Sequence, residues 1–244
     1  MSLIKQPFGF GVGARAEMSD APQTNLIYHF RADTGITVGT GVSNWVDQVS
    51  GSTEFAQSVV ANQPAYDATE TVGSLAGAGA MTFDGVNDSL IGASVTEAGQ
   101  PFHMFFVFKP ITYVNGEPIL AAKHSWNTTF MYGYSSPDMY ISGENAGTDV
   151  EFEVGAWCLA CCLWNTASSS LARNNDAPAE FAIDGKGGMN QFTILAANAV
   201  NPPTATWTNY ALAELLIYDL ALTEDTTSKL SEVKTYVNGQ YGFW

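Results

Sequence analysis

Residues 101–109, PFHMFFVFK, and residues 156–164, AWCLACCLW, are the two stretches that decide the fold of this chain. Neither alternates apolar with polar residues, and Gly155 and Pro101 mark where they begin. A short, continuously apolar run bounded by turn residues is the pattern of a strand that is buried on both faces. The two stretches therefore predict two central strands.

Shorter stretches of β pattern surround these two and are separated by turn residues. About a dozen short strands at such spacing predict an all-β sandwich or barrel. One helix is predicted near the end of the chain, with Leu230, Val233 and Val237 as its buried stripe. Gly239 is predicted as the left-handed residue that ends this helix.

Charge and composition exclude several classes of partner. The 244 residues include 9 Lys or Arg and 24 Asp or Glu, which gives a net charge of −15. Nucleic acids and anionic membranes attract clustered cations, so this balance argues against both. Hydrophobic residues make up 46% of the chain, which is enough for a large core and excludes global disorder.

The start of the chain and the cysteines bear on where the protein works. No apolar run is long enough to span a bilayer, and no secretory signal is recognisable at the start. Either a mature protein has lost its signal, or the protein is made and used in the cytosol of its producer. Cys158, Cys161 and Cys162 favour the second alternative, because three cysteines in one apolar strand are expected to be buried thiols.

Residues 1–20 differ from the rest in alternating Gly with Phe and Val. Two interpretations stay open for them. They form a frayed terminus, or an arm that becomes ordered on a partner subunit through Pro7, Phe8 and Phe10. The predicted organisation is an anchoring arm over residues 1–20 and one β domain over residues 21–244.

Three stretches together resemble a known family. They are residues 26–33 with the later VSNWVDQVSG at 42–51, MTFDGVNDSL at 81–90, and AELLIYDLALT at 213–223 with the helix that follows. They resemble the laminin-G-like, concanavalin A-like jelly-roll domains common in phage virion proteins and in secreted bacterial proteins. The resemblance implies an all-β, concanavalin A-like antiparallel sandwich with one short C-terminal helix, and a hairpin around residues 84–85.

Three aspartates, Asp47, Asp84 and Asp88, have a structural and a metal-binding interpretation. Asp47 is expected to accept backbone N–H groups of the turn at residues 50–51, and Asp84-Gly85 is expected to form a tight turn with positive φ at the glycine. The alternative is a calcium site at the rim, because calcium prefers several oxygen ligands. No dense Asp-x-Asp-x-Asp loop is present, so no cofactor is expected.

Catalysis is not expected. A retaining glycosidase needs two carboxylates about 5 Å apart that flank the scissile bond. Glu151 and Glu153 are the nearest approach to such a pair, but no third carboxylate follows on that strand, and both are expected to be solvated. Asp33-Thr34-Gly35 is a turn rather than a protease motif, and no Gly-x-Ser-x-Gly elbow is present.

Aromatic residues among small polar ones suggest a glycan-binding surface. The residues are Trp126, Tyr132, Tyr134, Trp207 and Tyr210. Aromatic faces stack on sugars, and Ser, Asn and Gly supply hydrogen bonds. Core packing and subunit contact explain the same residues, and all three interpretations stay open.

Two functions follow from these features. The first is a non-enzymatic component of a bacteriophage virion, such as a capsid decoration, head fibre or tail-associated protein. It would be anchored to other virion proteins by the arm, would form a homo-oligomer or part of a larger assembly, and would present the jelly roll to host glycans. The alternative is an extracellular carbohydrate-binding module or lectin. A glycanase is a third, less favoured class.

Overall fold

The computed structural model describes residues 20–51, 54–92, 100–112, 118–122, 130–135, 138–143, 146–165, 168–182, 192–194, 209–221 and 230–244. The strands within these residues are β1 (Leu26–Arg31), β2 (Ile36–Val38), β3 (Val42–Val46), β4 (Glu54–Ala56), β5 (Ala65–Asp67), β6 (Ala80–Phe83), β7 (Leu90–Gly92), β8 (Phe102–Thr112), β9 (Pro118–Ala122), β10 (Phe130–Ser135), β11 (Asp138–Gly143), β12 (Ala146–Glu151), β13 (Cys158–Trp164), β14 (Ser169–Arg173), β15 (Ala179–Phe181), β16 (Phe192–Ile194) and β17 (Asn209–Tyr218). A 3-10 turn spans Val60–Asn62 and the helix α1 spans Leu230–Tyr241.

The strands form two antiparallel sheets. Sheet A has eight strands. Seven of them follow the order β15-β14-β13-β8-β17-β6-β5, and the eighth, β1, pairs with β17 beside β6. Sheet B has nine strands in the order β12-β11-β10-β9-β16-β7-β4-β3-β2. The predicted all-β sandwich with a C-terminal helix is therefore confirmed. Pro7, Phe8 and Phe10 lie outside the described residues, so the anchoring arm stays a prediction.

The two apolar stretches form the centre of sheet A, as predicted. Strand β8 lies between β13 and β17. Phe102, Phe106 and Phe108 pack into the core between the sheets, whereas Phe105 and Val107 pack on the other side, under α1. Since both faces of this sheet are covered, a polar residue at any of these positions would lose its hydration.

The three cysteines are buried thiols in β13, as predicted. Cys158 and Cys162 point into the core between the sheets, and Cys161 points to the layer under α1. Alternation along the strand therefore separates the neighbours Cys161 and Cys162. Burial raises the pKa of the Cys161 thiol to about 12 and raises the pKa values of the other two as well.

The helix α1 packs its Val233, Tyr236, Val237 and Tyr241 onto the outer side of sheet A. Its last turn differs from the prediction, because Gly239 lies inside the helix. Gly242, with φ +64°, is the left-handed residue that ends it, and its N–H donates to the Asn238 carbonyl at 2.7 Å. No helix within the described residues has the length and apolar character needed to cross a membrane.

The Asp84-Gly85 turn is confirmed, with Gly85 at φ +71°. The hairpin expected around it is wrong. Strand β6 before the turn pairs with β17 in sheet A, whereas β7 after it pairs with β16 in sheet B. The turn is therefore a crossover at the end of the sandwich, which carries the chain from one sheet to the other.

Candidate functional site

An open cleft of about 550 Å³ lies beside the C-terminal end of α1. Three segments form it: the loop between β12 and β13, the turn between β14 and β15, and the residues that follow α1. Their aromatic contributions are Trp157, Phe243 and Trp244, and their polar contributions are Glu153, Arg173, Asn174, Asn175 and Asp176. The segments are far apart in sequence, so only the fold brings these side chains together.

The first segment is shaped by Gly155. This residue has φ +84°, and its N–H donates to the carbonyl of Pro110 in β8 at 2.7 Å. Strand β12 ends at Glu151 rather than continuing through residue 154. Phe152 is buried, whereas Glu151 and Glu153 are exposed as expected. The turn after Glu153 then directs the chain to Trp157, which directly precedes β13.

The side chain of Trp157 is held in place by Glu70 and Lys109. Its Nε1 atom donates to Glu70 Oε1 at 3.2 Å, and the Lys109 ammonium donates to the same oxygen at 2.7 Å. The ammonium also lies 5.1 Å from the centre of the Trp157 ring, within the range of a cation–π interaction. These contacts fix the orientation of a half-buried indole at the cleft.

The second segment is a turn whose geometry depends on Asn174. This residue has φ +52°, a conformation that asparagine tolerates better than most residues. Its backbone N–H donates to the Leu159 carbonyl, and its Oδ1 atom accepts from the Leu159 N–H, both at 2.8 Å. Both bonds attach the turn to β13. The Asp176 N–H closes the turn by donating to the Arg173 carbonyl at 2.9 Å.

The third segment carries Trp244. Asn238 in α1 binds both of its backbone groups: the asparagine Nδ2 donates to the Trp244 carbonyl at 2.7 Å, and the Trp244 N–H donates to Oδ1 at 3.0 Å. Phe243 stacks on Tyr241 at 5.6 Å. Trp244 is 43% exposed. Among the aromatic side chains that the structure describes, it alone is classed as exposed.

The charges of the cleft are largely paired. Arg173 Nε donates to Asp176 Oδ2 at 3.2 Å, and Arg173 Nη1 donates to the Glu151 carbonyl at 3.1 Å. Glu153 adds a second, exposed carboxylate to the lining. The cleft thus offers aromatic surface, amide and carboxylate groups, and one guanidinium whose charge is already compensated.

Tyr210 is the one aromatic residue of the predicted glycan surface whose side chain the structure describes, and it does not line this cleft. Tyr210 is fully buried between Phe83 and Phe108, and its hydroxyl donates to the Ile119 carbonyl at 2.9 Å. Tyr210 therefore belongs to the core, which was one of the three interpretations, and is not accessible to a glycan in this structure.

The other members of the predicted glycan surface are placed only in part. Trp126 and Trp207 lie outside the described residues. Tyr132 and Tyr134 belong to β10, where only the backbone is described. Tyr132 is the strand partner of Tyr140 in β11, which is the strand partner of Asp149 in β12. Glycan binding by this group stays a prediction.

The aspartates considered for calcium make structural hydrogen bonds. Both oxygens of Asp47 are occupied: Oδ1 accepts the N–H of His29 at 2.7 Å and that of Val49 at 3.2 Å, and Oδ2 accepts the N–H and the hydroxyl of Ser50, both at 2.8 Å. This confirms the predicted turn and shows that Asp47 also ties it to β1.

Asp84 and Asp88 brace the crossover turn. Asp84 Oδ1 accepts the N–H groups of Val86 and Asn87 at 2.8 and 3.2 Å, and Asp88 Oδ2 accepts the N–H of Asp84 at 2.9 Å. Burial raises the pKa of Asp88 to about 6. Within the described residues, no group of three or more His, Cys, Asp or Glu side chains is arranged to hold a metal ion.

The sequence reasoning missed Trp157 and Trp244 as site residues. The sequence analysis assigned Trp157 to the buried apolar stretch at residues 156–164, although this residue directly follows Gly155-Ala156. Trp244 follows two residues after the helix-ending Gly242. An aromatic residue two positions after a turn glycine is the signal that was available for both, since such a position lies close to the end of a strand or helix.

Comparison with known proteins supports the fold. No protein-family model and no curated protein matches the sequence. Among solved structures, a Trypanosoma rangeli sialidase in complex with 2,3-difluorosialic acid matches with a TM-score of 0.61 and 12% identity, over 91% of this chain and 34% of that chain. The chain thus spans about a third of the sialidase.

Two further structures match at similar levels. Domain 4 of AbnA, a GH43 extracellular arabinanase from Geobacillus stearothermophilus in complex with arabinotriose, has a TM-score of 0.56 and 16% identity, over 87% of this chain and 98% of that one. The binding domain of botulinum neurotoxin serotype G has a TM-score of 0.56 and 11% identity, over 88% and 51%. Such identities show the fold alone: the chain is similar to concanavalin A-like, lectin-like β-sandwich domains.

Proposed function

We propose that this chain is a carbohydrate-binding domain without catalytic activity, and that the cleft beside α1 holds the sugar. The observation that carries the proposal is the combination of Trp157 and Trp244 with hydrogen-bonding side chains in one open cleft. The electron-rich face of an indole attracts the C–H groups of a sugar ring, and amide and carboxylate groups bind its hydroxyls.

Preorganisation supports this assignment. The cost of ordering a side chain on binding is about 0.5–1.5 kcal/mol. Glu70 and Lys109 orient Trp157, and Asn238 holds the backbone of Trp244. A sugar that binds here meets aromatic surfaces whose positions are restricted in advance, which favours affinity from a small contact area.

The comparisons favour this function over the virion hypothesis. One of the similar structures, matched over 98% of its chain, is a complex with arabinotriose, which supports a role of this fold in sugar recognition. The virion hypothesis depends on residues 1–20, of which 1–19 lie outside the described part of the chain, and on family resemblance. Virion location and homo-oligomerisation stay predictions, as does the extracellular alternative that a free carbohydrate-binding domain implies.

The absence of catalysis is part of the proposal. Glu151 and Glu153 are both exposed, so neither lies in an enclosed site from which water is excluded. Glu151 contributes its backbone carbonyl to Arg173. We expect the chain to release no reducing sugar from a polysaccharide that it binds.

The test is binding of the full chain to an oligosaccharide panel, followed by titration calorimetry with the best ligand. We expect Trp244→Ala to weaken binding by at least about tenfold, which corresponds to about 1.4 kcal/mol. Val60→Ala is the matched control, because Val60 is also exposed, at 57%, and lies outside the cleft. Thermal melts should show that both variants fold.

Four outcomes would contradict the proposal. Binding of no oligosaccharide would reject carbohydrate recognition. Equal affinity of Trp244→Ala and wild type would reject the cleft, and loss of binding in Tyr132→Ala alone would move the site to sheet B. Release of reducing ends that stops in Glu153→Gln would reject the non-catalytic assignment.

A further inference from the structure

The lining of the cleft contains one cationic side chain, and that cation is compensated. Within the described residues that form the cleft, Asp176 and Glu153 supply carboxylates and Arg173 is the cation. Its guanidinium donates to Asp176 at 3.2 Å and to the Glu151 carbonyl at 3.1 Å. Lys109, behind Trp157, is paired with Glu70 at 2.7 Å. Neither cation presents an uncompensated charge to a ligand.

Recognition of an acidic sugar is strengthened by such a charge. Sialic acid, uronic acids and sulfated sugars carry a carboxylate or sulfate that proteins bind by charge-assisted hydrogen bonds, usually bidentate from arginine. In this cleft, an acidic ligand would compete with Asp176 for the charge of Arg173 and would also meet the exposed carboxylate of Glu153. The net charge of −15 adds long-range repulsion.

We infer that the cleft selects uncharged saccharides, and that Asp176 determines this selectivity by compensating the charge of Arg173. The inference rests on the proposed carbohydrate-binding function and specifies its ligand. The Arg173–Asp176 pair does not weaken the binding of a neutral sugar. Its hydroxyls can donate to the carboxylate and accept from guanidinium and amide N–H groups.

The geometry allows Asp176 to be changed without loss of the fold. Its side chain in the ion pair is 55% exposed. The turn itself is closed by its backbone N–H and by Asn174, which the variant Asp176→Asn leaves in place. Asparagine keeps the size of the side chain and removes the charge.

The first experiment compares neutral and acidic probes on the full chain. Lactose is paired with 3′-sialyllactose, and arabinotriose with trigalacturonic acid, at low and at physiological salt. We expect the acidic member of a pair to bind at least about tenfold more weakly than the neutral member, with a smaller difference at high salt because exposed charges are then screened. Equal or tighter binding of the acidic probes would overturn the selectivity.

The second experiment tests the residue. Asp176→Asn should raise the ratio of the affinity for the acidic probes to that for the neutral probes several-fold. Asp219→Asn is the matched control, because it changes the net charge by the same amount at an exposed position outside the cleft. Equal gains in both variants would overturn the role of Asp176. Adding Arg173→Gln to Asp176→Asn should remove the gain, and persistence of the gain would also overturn it.

Failure of the inference differs from failure of the proposed function. If no neutral or acidic probe binds, and the wider panel also shows no ligand, carbohydrate recognition itself is wrong and the inference falls with it. If acidic sugars bind in the cleft and lose affinity in Trp244→Ala, the function stands and only the selectivity is wrong.

Discussion

The Nε2 atom of His29 lies 2.6 Å from the Oε1 atom of Glu214 in a region that solvent scarcely reaches. Glu214 is fully buried in β17, and its carboxylate also accepts the hydroxyl of Tyr236 at 2.7 Å and that of Tyr241 at 2.8 Å. One buried carboxylate therefore connects β1, β17 and α1. Burial, with the charge of Glu214 as a further cause, raises the pKa values of both tyrosines, so they remain donors at ordinary pH.

Removing the Glu214 carboxylate should strongly destabilise the protein. Glu214→Ala leaves His29, Tyr236 and Tyr241 without their shared acceptor, and breaking one side of a buried polar pair typically costs about 3–5 kcal/mol. Urea unfolding of Glu214→Ala against Glu180→Gln, an exposed control, measures the difference. A loss below about 1 kcal/mol would show that the helix does not depend on this carboxylate.

Replacing Asp88 should change the pH dependence of stability. Its pKa in the folded protein, about 6, is above the ordinary 3.8, because burial disfavours the charged form. Its contribution to stability is therefore fully present below pH 3.8 and is lost as the pH rises through 6.

Asp88→Asn keeps an acceptor for the Asp84 N–H and removes the titration. The free energy of unfolding of the variant, relative to wild type, should increase by about 1–2 kcal/mol between pH 4 and pH 7, after allowance for partial solvent screening. Chemical denaturation at several pH values checks this. A difference that does not change with pH would contradict the assignment.

The three thiols should be unreactive in the folded protein. Cys158, Cys161 and Cys162 are buried, and burial raises their pKa values, so little thiolate is present to react. A chromogenic disulfide reagent at pH 8 should label none of them within minutes in native protein and all three in guanidinium. Rapid labelling of any cysteine in the native state would show that β13 is not central.

Gly239 in the last turn of α1 and Gly242 directly after the helix should respond oppositely to alanine. Gly239 has helical geometry with open space around it, so Gly239→Ala should stabilise the protein by about 0.5–1 kcal/mol. Gly242 has φ +64°, and a Cβ there would lie 2.6 Å from the Ser74 hydroxyl oxygen. Gly242→Ala should therefore destabilise by at least about 1 kcal/mol.

Melting temperatures of the two alanine variants measure this pair of effects. Each variant serves as the control of the other, because the substitution is the same and only the backbone conformation differs. If both substitutions stabilise, or if Gly239→Ala is the more damaging one, the end of the helix lies where the sequence alone placed it.

Much of the fold is predictable because burial leaves a regular pattern in the sequence. The continuous apolar stretches of β8 and β13 indicate strands covered on both sides, and the stripe of Val233 and Val237 indicates a helix with one buried face. Asp47 before Ser50-Gly51 indicates a turn. Each of these signals is local, since it depends on residues that are close together along the chain.

Such local signals do not predict which distant strands pair with each other. The turn at Asp84-Gly85 has the residues of a hairpin, but Phe83 pairs with Tyr210 and Leu90 with Ile194, and hydrogen bonding to those distant strands places the flanking segments in different sheets. The buried position of Tyr210 has the same cause. An aromatic residue in a strand looks alike whether it faces the core or a ligand.

The sequence by itself therefore determined the fold class, the central strands, the buried thiols and the structural role of Asp47, because periodicity and turn chemistry act over a few residues. Only the tertiary structure decided which aromatic residues meet in a cleft. It also decided that Glu214 binds His29, Tyr236 and Tyr241. Such groupings join segments separated by tens to hundreds of residues, and they exist only after the two sheets and the helix have packed together.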